Sequence, residues 1–322
     1  MIRCMGIIAR GILLVVVCSA VWYPAYGRYI RVAVSAEDGS DSNNTAPPTQ
    51  EIIKELYPNG TLKSETPLVN GKIHGKKKHF SEKGSLLKEE EYRDGKKDGL
   101  SIEYYEDGTV KGHETFKNDR LNGDCFMNYP NGQKMMAGQC ADGKKTGKWT
   151  LYHNNGNKYM EGNYAEGVME GVWRSFSPEG WLDSEGEYRN GLQADVWVYY
   201  DKYKKVTKKL TMKNGMIDGP CWIYSQGRLA GEGIMNGLAH DPRKNGSWKS
   251  YYRNGQLKYE GIFTMGLRNG RFTEYYSNGK VKATGDYVNE RRNGNWTFYE
   301  KDGVTINAEK TGQYINGKLR KQ

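Results

Sequence analysis

Apolar and polar positions alternate along this chain in short runs of five to eight residues, rich in Tyr, Trp and Thr and bounded by Asn-Gly or Asp-Gly pairs. Such runs predict β-strands joined by tight turns. The stretch Gly143 to Tyr164 (GKKTGKWTLYHNNGNKYMEGNY) shows the unit: a turn, a strand with Trp149 and Tyr152, a second turn at Asn154 to Gly156, and a second strand. The unit recurs from about Tyr57 onwards. One turn glycine falls at Gly60, Gly84, Gly108, Gly132, Gly156 and Gly180, a step of 24 residues each time. The glycine before the tryptophan falls at Gly75, Gly99, Gly123, Gly147, Gly171 and Gly219, with Asp195 filling one place of the series. Two residues later come Trp149, Trp173 and Trp197, and again Trp248, Phe272 and Trp296. A further column runs Tyr92, Phe116, Cys140, Tyr164, Tyr188 and Met212.

Columns held in one register over this length are the signature of a repeat array. The prediction is an all-β protein, an elongated, solenoid-like curved sheet of about ten to eleven 24-residue β-hairpin repeats over residues 51–322. A lone hairpin is marginal in water, so each aromatic is expected to be shielded by the copy next door. Truncating one such Trp should then cost about 3–5 kcal/mol. With two strands per unit at about 4.8 Å spacing, ten or eleven units predict a rod of about 100 Å. Asn-Gly and Asp-Gly suit hairpin turns in which both central residues take positive φ, and the 41 glycines are read as serving such turns. The first units keep the glycines but place Lys77 and Ser101 in the Trp column, as a polar terminal cap would. Trp and Tyr stand two and five residues after the glycine. Strict alternation puts them on opposite faces; either a bulge realigns them or both faces carry aromatics.

Two places break the frame. At Asp201 to Lys209 the turn glycine is missing and Lys202, Lys204, Lys205, Lys208 and Lys209 crowd together. They read as a solvated face or as a contact for an anionic surface. At Asn236 to Gly246 the connection is longer than its equivalents, and the step Gly227 to Gly255 is 28 residues. That segment is expected to be a loop carrying His240, Asp241 and Arg243, a possible partner contact.

The N-terminus differs. Arg3 and Arg10 precede an apolar run, Gly11 to Tyr23, then Pro24 and the small-x-small triplet Ala25-Tyr26-Gly27. These are the parts of a secretory signal over residues 1–27, or of an uncleaved anchor, and they predict export to a periplasm, cell envelope or medium. Residues 28–50 end in a polar, Pro-bearing stretch read as a flexible linker.

Composition refines the picture. Only 37% of residues are apolar and mean hydropathy is −0.84. Taken alone those values suggest disorder, but 24 Tyr and 8 Trp concentrate burial in few side chains. The net charge of +10 fits an acidic partner better than a basic one. Lysines beside turns (Lys72, Lys96, Lys144, Lys280) read as keeping edges soluble, so nucleic acid is not the expected partner. The five histidines are dispersed, with no recognised metal-ligand spacing, and no phosphate loop or nucleophile elbow occurs. His240 beside Asp241 is a poor acid–base pair, since adjacent side chains rarely face each other. No cofactor, no small-molecule substrate and no enzymatic activity are expected. Five cysteines are too few for a disulfide scaffold, yet Cys125 and Cys140 replace the Trp and Tyr of one unit. They read as a disulfide across the hairpin or as two buried thiols.

The frame N-G-x-x-x-G-x-W-x-x-Y-x-x-x-G from Asn190 onwards, with Asp195 for one glycine, resembles the MORN repeat. Lys148 to Gly156 with Glu161 to Tyr164, and Ser247 to Gly255, are similar to the MORN-variant repeat of bacterial exported and antitoxin-like proteins. The resemblance covers roughly Tyr57 to Lys318. It implies a row of β-hairpins serving assembly or membrane-proximal scaffolding; the antitoxin label of some relatives sits poorly with an export signal. The leading expectation is a non-enzymatic scaffold that binds a protein along its sheet. The alternative is an envelope module binding glycan or anionic lipid, and exposure of the Trp columns discriminates the two.

Overall fold

A computed structural model describes residues 8–9, 12–23, 27–36, 49–238 and 241–320. The described residues contain strands and turns and no helix. The all-β hairpin array expected from the repeat is what the chain forms. It divides into two compact units, residues 1–157 with 164–167, and residues 158–163 with 168–322.

In the first unit, strands from Ile12–Tyr23 to Lys144–Tyr152 each pair antiparallel with their neighbours in sequence. The linker expected over 28–50 is narrower than that. Gly27–Ala36 is a strand, paired on one side with Ile12–Tyr23 and on the other with Gln50–Leu56. Its Val32, Val34 and Ile30 are β-branched, a composition that fits a pleated surface. Residues 37–48 lie outside the described residues, as do most of the charged and cleavage-site positions of the proposed signal. No described helix is long and apolar enough to cross a membrane. In the second unit, neighbours from Val168–Phe176 to Lys318–Leu319 pair in the same antiparallel way.

Two turn types alternate. In the two-residue turns both residues have positive φ, as at Asn70 (50°) and Gly71 (76°), or Asn190 (51°) and Gly191 (79°). This is the geometry that Asn-Gly predicts. The turns of the Gly60 column differ. There a three-residue loop closes with the glycine N–H on the carbonyl three residues back, Gly132 to Tyr129 at 2.9 Å and Gly279 to Tyr276 at 2.9 Å. Only the glycine is left-handed; Asn131 and Asn278 are not. Their side chains instead accept the N–H two residues on, at 3.1 Å to Gln133 and 3.1 Å to Lys280. So Asn-Gly serves two mechanisms here, one of which sequence reading assigned to all.

The column of glycines before the tryptophan marks a bulge. Across it the register moves from Glu187 opposite Ala194 to Glu185 opposite Val198, and Asp195 takes the left-handed place with φ 54°. The bulge lies upstream of both aromatics, so it does not realign them. Trp and Tyr face opposite sides, and both faces carry rings.

The core is the Trp face. Trp149, Trp173, Trp197, Trp248, Phe272 and Trp296 are all at most 3% exposed. In the second unit the rings meet edge to face: Phe272 to Tyr287 at 5.0 Å and Tyr287 to Trp296 at 5.0 Å. Such pairs add to area burial. Lys145 stands over Trp149 (4.4 Å) and Arg292 over Trp296 (4.9 Å), so aliphatic stems and cations cover the ladder. The indole N–H groups of Trp149, Trp173, Trp197 and Trp296 each find a carbonyl ten residues back, as Trp296 does on Asp286 at 2.8 Å.

Under each ring lies a glycine that is not a turn residue. A Cβ built on Gly138, Gly162, Gly186, Gly261 or Gly285 would stand 2.2–2.4 Å from the ring of Trp149, Trp173, Trp197, Phe272 or Trp296. These five glycines do not have positive φ. The reading that turns account for all the glycines is therefore incomplete: the column exists because an indole lies flat on the Cα. Where the ring is missing, the glycine is missing too. Glu90 faces Ser101, Glu114 faces Cys125 and Leu210 faces Cys221 across the same pair of strands. In the Glu90–Ser101 and Leu210–Cys221 pairs large and small exchange places and fill the same space, whereas Glu114 opposite Cys125 is exposed.

Candidate interaction surfaces

Adjacent repeats are stapled along the edge of three-residue turns. The Tyr that opens such a turn donates its hydroxyl to the carbonyl 23 residues on: Tyr129 to Tyr152 (2.8 Å), Tyr252 to Tyr275 (2.8 Å) and Tyr276 to Tyr299 (2.8 Å). Two residues later an Asn amide repeats the bond, Asn254 to Ser277 at 2.7 Å and Asn278 to Lys301 at 3.0 Å. The Tyr-x-Asn-Gly tetrapeptide carries the signal for this ladder, and the sequence reading passed over it.

The face opposite the indoles holds acid–phenol pairs. Tyr200, Tyr251 and Tyr275 donate to Glu185, Glu232 and Glu260 at 2.7, 2.6 and 2.7 Å. Burial and then the glutamate push each phenol up to about 12. In the first unit Glu90 is 5% exposed and lies 2.7 Å from Lys97 and 3.4 Å from Lys88. Burial alone would raise its pKa; the two lysines outweigh that and hold the carboxyl below its usual range. This is a structural ion cluster inside the polar end of the array. Among the described residues no three His, Cys, Asp or Glu come together as a metal-binding group.

The five lysines of 202–209 do not form one patch. Lys202, Lys204 and Lys205 sit on the tip of a turn and are exposed. Lys208 lies over the Tyr199 ring at 4.3 Å, on the Trp face, while Lys209 pairs with Val198 on the other. The alternation of a strand separates them. The missing glycine does not abolish the turn. Lys204 takes the left-handed place with φ 60°, and its N–H reaches the Asp201 carbonyl at 2.9 Å. Asp201 Oδ1 accepts the N–H groups of Tyr203 and Lys205, both at 2.9 Å.

The long connection at 236–246 is not the loop expected. Asn236, Gly237 and Leu238 pair with Arg243, Pro242 and Asp241, so the hairpin is longer and its strands, Arg228–Leu238 and Asp241–Tyr251, each have 11 residues. The extra residues continue a ladder rather than leave it, because backbone groups pair wherever a partner strand is at hand. Arg243 donates to Asp241 at 2.9 Å, and both are exposed; His240 lies outside the described residues. Cys125 and Cys140 sit diagonally on neighbouring strands, both buried free thiols, with their sulfurs 2.7 Å apart. Burial, then the Cys140 thiol, push Cys125 up to about 12. Cys221 is buried against Leu210.

Two surface features of the second unit were not foreseen. Val168, Leu192 and Met216, 24 residues apart, stand 42%, 50% and 50% exposed just after successive two-residue turns. In the first unit the same column is Lys72, Lys96, Arg120 and Lys144. The second feature is a cavity of about 770 Å³ bordered by the 201–205 turn, residues 225–230 and residues 251–253.

Six stretches, residues 73–94, 97–118, 145–166, 169–190, 244–264 and 268–289, match the model of the MORN repeat variant. No curated protein matches the chain. Among solved structures, the crystal structure of TcdB2-TccC3 aligns at 11% identity and TM-score 0.18 over 85% of this chain and 18% of that one. The same assembly without its hypervariable C-terminal region aligns at 12% identity and TM-score 0.17 over 92% and 19%. The chain thus spans about a fifth of the length of those chains, and likeness at that level carries no argument about fold or function.

Proposed function

From a chain that belongs to the MORN repeat variant family, a kind of non-catalytic repeat scaffold, we propose an exported scaffold that binds a protein partner along its sheet. The observation that carries the reading is where the tryptophans are. A glycan-binding module needs open rings as platforms, and all the Trp-column rings from Trp149 onwards are spent inside the ladder. Among the apolar side chains left outside, Val168, Leu192 and Met216 form a row at one step per repeat. Exposed apolar rows on a repeat surface suit a protein contact. The export reading is supported by Arg3, Arg10, the apolar run and the small-x-small triplet.

The test is capture from envelope extracts with the full chain as bait, beside the variant Val168→Asp, Leu192→Asp, Met216→Asp. The native chain should retain a partner that the variant loses. Retention by both would move the contact off this row. Pelleting of the native chain with insoluble wall polysaccharide would instead favour the glycan reading. N-terminal sequencing of the chain from fractionated cells checks export: a start just after Gly27 outside the cytosol is expected.

A further inference from the structure

The cavity arises from one irregular turn. Elsewhere three-residue turns follow each other along this edge, and those that open on Tyr are stapled to the next. At Gln226 and Gly227 the turn has two residues, with Ser225 opposite Arg228. The row is set back there, and the flanking turns at 201–204 and 252–255 stand as walls. Asp201, at the place of the stapling Tyr, keeps its Oδ1 on its own turn.

The notch is cationic. Lys205, Arg228 and Arg253 are exposed and border it. Among the described ion pairs none involves these three, whereas the basic column of the first unit is partly paired, Lys144 to Glu166 at 2.7 Å and Arg120 to Asp142 at 4.0 Å. Arg228 Nη1 donates to the Arg253 carbonyl at 3.0 Å. That bond fixes the guanidinium on the floor and leaves most of its donors for a ligand. Tyr203, 70% exposed, and Tyr252 add ring surface.

We propose that this notch binds an extended acidic peptide segment of a protein partner. The inference rests on the protein-binding reading above and names a place and chemistry for it. Successive turns on one edge are two strands apart, about 10 Å. An extended peptide rises about 3.3 Å per residue, so acids at every third position meet successive cations. A recessed, walled site favours a chain over a flat bilayer, which meets the wall tips before Arg228.

The test is fluorescence anisotropy with the full chain and a labelled decapeptide carrying Glu at every third position and Tyr, Ser and Gly between. The variant Lys205→Gln, Arg228→Gln, Arg253→Gln should weaken binding about tenfold, three modest charge pairs' worth. A control with the same change in charge, Lys96→Gln, Arg120→Gln, Lys144→Gln, should change it less than about twofold. Equal loss in both variants, or none in either, overturns the site. Phosphatidylserine vesicles form the second arm: native binding to vesicles that the notch variant alone loses, without peptide binding, assigns the notch to lipid and overturns the peptide. Thermal melts check that all chains fold. If the notch variant still captures the partner that the Val168, Leu192, Met216 variant loses, the scaffold stands and the notch does not serve it.

Discussion

Gly186→Ala is the sharpest test of how the Trp face is built. Its new Cβ would stand 2.3 Å from Cδ2 of Trp197, 2.4 Å from Cε2 and 2.5 Å from Cγ. These are ring atoms next to the backbone attachment, not the far end of a flexible chain. Trp197 is 2% exposed and anchored by its indole N–H on the Glu187 carbonyl at 3.2 Å. It cannot swing away without giving up that bond and its packing against Tyr188 at 5.3 Å. Overpacking of this kind costs about 1–3 kcal/mol, and loss of the bond adds about 1, so about 3 kcal/mol is expected from one methyl group. Gly255→Ala is the contrast. It has open space around it and φ +87°, so only backbone strain, about 1–2 kcal/mol, applies. Urea denaturation followed by far-UV circular dichroism and by hydrogen exchange of the flanking strands measures both. The double change Gly186→Leu, Trp197→Cys recreates the Leu210–Cys221 pair and should cost less than the two single changes summed. A neutral Gly186→Ala, or a double variant that is fully additive, would falsify the idea that ring and glycine are one packing unit.

Lys204→Gly should stabilise the chain by about 0.5–1 kcal/mol, because it relieves a left-handed lysine at some entropic cost; an unchanged or lower urea midpoint refutes it. Tyr276→Phe should cost about 1 kcal/mol by removing the bond to the Tyr299 carbonyl, read as faster hydrogen exchange in the hairpins on both sides; protection unchanged on either side removes the staple's role. Tyr200, Tyr251 and Tyr275 have folded pKa values raised to about 12, so the folded state binds more protons than the unfolded one above pH ~10. Their contribution is full below that and lost as pH rises towards 12; phenolate absorbance should show a late step, and a single ordinary phenol transition in the native chain contradicts it. Chain recovered from an oxidising compartment should carry a Cys125–Cys140 disulfide, about 2 mass units lighter, with Cys221 still free; thiols at both positions in non-reduced protein would sink the pairing.

The repeat period, the strands and the burial of Trp149 to Trp296 were legible, because each recurs as a residue type at a fixed step; Ser101, read as part of a terminal cap, is instead buried with paired strands beyond it. What was hidden is what two residues do to each other. Gly138, Gly162 and Gly186 look like turn glycines in composition, and only their pairing with an indole shows why they are glycine. The exchanges Glu90–Ser101 and Leu210–Cys221 were visible as substitutions in two columns, but nothing in the sequence said that the columns touch. The 236–246 segment was misread because an insertion in a hairpin can lengthen either the loop or the strands, and Gly237 and Pro242 argue for a loop by propensity. Register across strands overrode them. The notch at Lys205, Arg228 and Arg253 is invisible by composition alone, since it follows from a turn one residue shorter than its neighbours.

The Tyr and Asn donors at the turns give the hairpins that carry them an address that reads only one unit ahead. A carbonyl 23 residues downstream is the same atom whichever copy supplies it. A duplicated or deleted block of 24 residues, cut between two such addresses, therefore leaves every remaining donor with an acceptor. Length can drift in descendants of this chain by whole units, while a gain or loss of one to three residues, as at Gln226, leaves a scar that stays on the surface and is available for use.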